Sequence, residues 1–135
     1  MAISQSLRNR AVVVEKFITL AATAGTNVGI SVPAGTLVLA AGLETLATVP
    51  DVSVYTADVT DGTTVFANDV TLDNTAINTI RAGVTPGFIA AADTIDVVTT
   101  ITGSPGAIPV RVWAVIVDVN DCVLQGAEVD RDTLA

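Results

Sequence analysis

The sequence predicts an all-β domain, a jelly-roll-like β-sandwich of about eight strands. Three observations predict it. Valine, threonine, isoleucine and alanine dominate the chain while only 4% of its residues are aromatic, and β-branched side chains that are stiff at χ1 suit a pleated strand better than a helix. Turn chemistry built from glycine, proline and aspartate cuts the 135 residues into short pieces at fairly regular intervals. The pieces between the turns have strand length, and several alternate in polarity with a period of two.

The expected strands are 11–20, 27–32, 36–43, 52–57, 63–67, 76–81, 94–102 and 108–119. The first two precede Pro33-Ala34-Gly35, where proline fixes φ and glycine closes a turn into the third. The stretch from Thr36 to Ala47 has a helical alternative with Leu39, Leu43, Leu46 and Ala47 on one face. Gly42 disfavours it and the upstream turn favours a strand start, so a strand is expected. Asp61-Gly62 is a hairpin signal between the fourth and fifth segments. The sixth leads to Thr85-Pro86-Gly87, and short helical turns are open within 73–81 and 87–92. In the seventh, Ile95, Val97 and Ile101 fall on one face while Asp96, Val98 and Thr100 fall on the other, as in a half-buried strand. Gly103-Ser104-Pro105-Gly106 then feeds the last, where Val110, Val112, Ala114 and Ile116 oppose Trp113, Val115 and Val117. Both of its faces are apolar, so it lies between two layers or contributes to a subunit interface. Arg111 shares the outer face with Trp113, close enough for the guanidinium to stack near the indole or for its stem to cover it.

The organisation that follows is an N-terminal arm over 1–10, one sandwich domain over 11–121 and a tail over 122–135. The tail carries Glu128, Asp130, Arg131 and Asp132 without apolar periodicity and is expected to be mobile unless a partner pins it. The formal charge is −8, unevenly placed. Arg8, Arg10 and Lys16 against Glu15 give the first sixteen residues +2, which leaves −10 for the remainder. An acidic body argues against nucleic acid as a partner, since phosphate recognition needs a basic face. The uncharged run from Phe17 to Leu43 is interrupted by Pro33, Gly25, Gly29 and Gly35, unlike a membrane span of about 20 apolar residues. Arg8 and Arg10 followed by Ala11-Val12-Val13-Val14 imitate a signal peptide, but Glu15-Lys16 breaks the apolar run, so secretion is not expected.

The chemistry available is narrow. With no histidine, one lysine (Lys16) and one cysteine (Cys122), a Ser-His-Asp or Cys-His site and a histidine-held zinc are excluded within one subunit. Cys122 cannot pair within the chain and reads as a small buried hydrophobe. Asp58, Asp61, Asp69 and Asp73 fall near turns, and Asp118-Val119-Asn120-Asp121 follows the last strand. Neither set matches a calcium loop, and turn aspartates ordinarily bond their own backbone. Scattered aromatics and prolines in the glycine loops supply no sugar groove and no phosphate cradle. The reading is therefore no enzyme, no cofactor and no metal.

The succession Val32-Pro33-Ala34-Gly35-Thr36-Leu37-Val38-Leu39, then Asp93-Thr94-Ile95-Asp96-Val97, then Val110-Arg111-Val112-Trp113-Ala114-Val115-Ile116-Val117-Asp118 resembles small virion proteins of tailed phages, cyanophages in particular. Within that group it is similar to head decoration, or cement, proteins. The resemblance implies a β-rich protein, usually a homotrimer, made in the host cytoplasm and carried on the capsid exterior. There it would clamp neighbouring copies of a major capsid protein of the HK97 fold. On this reading Arg8 and Arg10 bind the capsid, and Arg111, Trp113, Val115 and Val117 form the oligomer interface. A fibre, tail or lectin-like carbohydrate-binding sandwich is the alternative.

Overall fold

The computed structural model describes residues 11–118. It contains nine strands: β1 (Val12–Leu20), β2 (Gly25–Val32), β3 (Thr36–Thr45), β4 (Val54–Thr60), β5 (Val65–Thr71), β6 (Ile80–Gly83), β7 (Gly87–Ile89), β8 (Asp93–Thr102) and β9 (Ile108–Asp118). One sheet has the order β1-β9-β3-β6, with β7 also on β3, and the other has the order β2-β8-β4-β5. Every pairing is antiparallel. β1 to β4 cross from sheet to sheet in turn, β4–β5 and β6–β7 each stay within one sheet, and β8 and β9 return beside earlier strands, which makes the doubly keyed arrangement of a jelly roll.

The ninth strand comes from an interruption. β6 pairs with Ala41–Glu44 of β3 and β7 with Thr36–Val38, so the two share one edge position. Between them lies Val84-Thr85-Pro86, and a proline without an N–H cannot continue the ladder. The helical turns left open within 73–81 and 87–92 are not formed; residues 80–83 and 87–89 are strands, and no helix occurs among the described residues. Residues 36–45 form a strand, as the upstream turn predicts. Gly35 closes that turn at φ 80°, a backbone geometry that costs glycine little.

The core lies between the inner sheet faces. Leu20, Val38, Leu43, Tyr55, Val59, Phe66, Leu72, Ile95, Val97, Val110 and Val112 are all fully buried there. Alternation puts them there: Ile95 and Val97 point inward from β8, and Val110, Val112 and Ala114 from β9. Two small residues let the layers meet at the β5–β6 side, where a Cβ on Gly83 would strike the Phe66 carbonyl and fall 3.0 Å from the Ala67 Cβ. Lys16 and the other exposed residues of β1 lie at an open edge of the first sheet.

Candidate interaction surface

The outer faces of the two sheets differ in kind. On the second sheet, Thr56 of β4 pairs with Thr100 of β8, Asp58 with Val98, and Thr94 with Ser31 of β2. This face is mostly threonine and aspartate. On the first sheet the register lines up four rows. Val13 sits beside Val115 and Ala40; Glu15 beside Trp113, Gly42 and Ala82; Phe17 beside Arg111, Glu44 and Ile80; and Val117 beside Leu37 and Phe88. A bulge between Val38 and Ala40 inserts Leu39, itself exposed, without breaking the alternation to either side.

Several of these side chains are open to solvent: Val13 is 66% exposed, Phe17 65%, Ile80 55% and Phe88 53%. Their contiguity matters more than their number, because scattered surface hydrophobics are ordinary and a continuous sheet face of them marks an interaction site. The Trp113 ring reaches over Gly42, its neighbour in the row, where an added Cβ would come within 2.8 Å of the indole Cζ2. The sequence leaves β9 either between layers or at an interface. Among the described residues no third layer covers it.

One polar group interrupts this face. The Arg111 guanidinium donates from Nε to Glu44 Oε1 at 3.1 Å and from Nη1 to Glu15 Oε2 at 2.6 Å. The hydrogen bond to Glu15 is the chief reason that Arg111 stands above its ordinary value, with the charges of Glu44 and Glu15 adding to it against an opposing desolvation. Two carboxylates on one guanidinium leave the trio at −1. Both glutamates escape a sequence reading because only the strand register places them beside Arg111. These two carboxylates engage the guanidinium, in the row next to the one that carries Trp113.

Three of the four turn aspartates accept backbone N–H groups. Asp61 Oδ1 accepts from Thr63 N and Thr64 N at 2.8 and 2.6 Å, Asp73 Oδ1 from Val52 N at 2.6 Å, and Asp58 Oδ1 from Asp69 N at 2.7 Å. Among the described residues no three acidic or cysteine side chains converge as a metal site would require. A cleft of about 250 Å³ opens at one end of the sandwich between Phe88, Ala90, Ala91, Asp61 and Asp93. Arg8, Arg10 and Cys122 lie outside the described residues.

The sandwich is similar to two solved chains. One belongs to the cyanophage Pam1 capsid asymmetric unit: TM-score 0.58, 13% identity, 80% of this chain and 84% of that one covered. Another belongs to the acid-stable capsid structure of Helicobacter pylori bacteriophage KHP30, with TM-score 0.55, 16% identity and coverage of 78% and 91%. The shared feature is the fold. The sequence matches no protein-family model and no curated protein.

Proposed function

We propose that this chain is a structural component of a tailed-phage virion, a decoration or cement protein on the outside of the head. The observation that carries the reading is the fold likeness to chains of two phage capsids, each spanned over most of its length. The contrast between sheet faces supports it, since a protein that clamps other subunits needs one surface for partners and another for water. In this role the chain works without catalysis, through contacts alone.

Under this reading three copies associate through the outer face of β9, with Arg111, Trp113, Val115 and Val117 at its centre. Association covers the apolar rows and the open edge of β1. Arg8 and Arg10 pair with acidic groups of an HK97-type major capsid protein, and such rim charges tune register and on-rate more than affinity. The test is co-sedimentation with expanded heads built from an HK97-type major capsid protein. Saturable occupancy that drops when residues 2–10 are deleted is the expected result. No binding to such heads would overturn the reading, and unchanged occupancy after the deletion would remove the arm from it.

A further inference from the structure

We infer that copies of this chain associate edge on face, with Lys16 of one copy set on the trio Glu15, Arg111 and Glu44 of the next. This deepens the self-association proposed above and rests on it. The receiving face is apolar but not neutral, since two carboxylates share one guanidinium. Covering an unbalanced carboxylate is costly unless the cover brings a cation. Among the described residues the cations are Lys16, Arg81 and Arg111. Arg111 is already shared. Arg81 lies opposite Leu43 on the inner side of β6, where its Nε donates to the Thr71 carbonyl at 2.9 Å. Lys16 is exposed and, among the described residues, has no ion pair.

Alternation keeps Lys16 away from its own trio. It stands opposite Val112 on the inner side of β1, whereas its neighbour Glu15 stands opposite Trp113 on the outer side. The lysine therefore emerges at the open side of the sandwich, on an edge strip with Val12, Val14 and Ile18. That strip and the receiving face are complementary, because a lone cation among apolar side chains meets one net negative charge among apolar side chains. β1 is also the edge suited to the contact. It runs in unbroken register along β9 from Val12 to Leu20, whereas Pro86 interrupts the opposite edge between β6 and β7. Packed face on face about a two-fold axis, two copies would set −1 against −1 and leave both lysines outside. Packed edge on face, every copy gives one lysine and receives one, and such head-to-tail contacts close into a ring when the rotation allows. Three copies close it on the reading above.

Sedimentation equilibrium of the full chain, without heads, measures the association constants of the native protein, Lys16→Met, Glu15→Gln and the double variant. Circular dichroism first establishes that each is folded. Either single substitution leaves one charge buried without its partner and should weaken association by about 30-fold or more per contact. The double variant removes both charges and should recover most of that loss, a non-additivity that two merely structural side chains do not produce. Lys16→Arg keeps the cation and should associate as the native chain does. Carbodiimide coupling of a mixture of isotope-labelled and unlabelled chains should join Lys16 to Glu15 or Glu44 in mixed-isotope pairs. Native association of Lys16→Met, additive losses, or coupling confined to single-isotope pairs each overturns the inference while leaving an oligomer in place. A chain that stays monomeric at high micromolar concentration overturns it together with the self-association. Head binding is measured separately, so the capsid reading stands or falls on its own assay.

Discussion

Tyr55 is fully buried on β4, yet its hydroxyl has no hydrogen-bond partner among the described residues. A buried polar group without a partner forfeits its hydration, at about 1–3 kcal/mol. Tyr55→Phe is therefore expected to leave stability unchanged or raise it by about 1 kcal/mol in urea denaturation, and a clear loss would mean that the hydroxyl is satisfied. The same burial pushes the phenol above its ordinary 10.0. A group held more strongly protonated when folded contributes stability that is intact below its unfolded value and lost as pH rises through the folded one. Melting temperature should thus fall more steeply above pH 10 for the native protein than for Tyr55→Phe; parallel curves would rule this out. Gly42 constrains the outer face just as tightly. An added Cβ meets the Arg81 carbonyl and the Trp113 ring, so Gly42→Ala should cost about 1–3 kcal/mol by overpacking and alter Trp113 emission.

At the scale of the strand, β9 offers an internal comparison. Val112 is fully buried on its inner face and Val115 half-buried on its outer one. Val112→Ala is expected to cost about 2 kcal/mol and Val115→Ala under about 1 kcal/mol in the same denaturation assay, because only the first empties the core. Equal costs would mean that the outer face is as tightly packed as the inner. This two-sidedness is legible in the sequence, since Val110 to Val117 spells out both faces and only the covering layer remains open. The strands after turns are legible for a related reason: Gly35 and Asp61-Gly62 impose local geometry that no distant contact overrides. The segment before Ile80 is misread because Asn74 and Asn78 adopt φ of 50° and 63° in tight turns, which delays β6. β7 has only three residues after Pro86 and too little pattern to see. Glu15 and Glu44 stay hidden as partners of Arg111 because they are 29 residues apart in the chain and meet only through the register of three strands.

The whole molecule is a sandwich with unlike sides, and its charge follows the division. Of the carboxylates among the described residues, only Glu15 and Glu44 belong to the rows of the first sheet, and Arg111 holds both. The rest sit at turns, at strand ends or on the second sheet. An acidic body repels other acidic surfaces at long range, so approach through the apolar side is the least opposed. On the proposed reading the first sheet then faces neighbouring copies and the second sheet faces water. Phe17→Ser/Phe88→Ser removes two exposed aromatics from the partner side and should change folding stability by no more than about 0.5 kcal/mol, as surface substitutions do. Occupancy on heads should nevertheless fall, because copies that no longer associate through this face lose the avidity of the assembled clamp. Thr100→Lys on the opposite sheet, also exposed, should leave occupancy intact. If the threonine variant loses binding and the phenylalanine variant keeps it, the molecule is turned the other way, with the second sheet toward its partners.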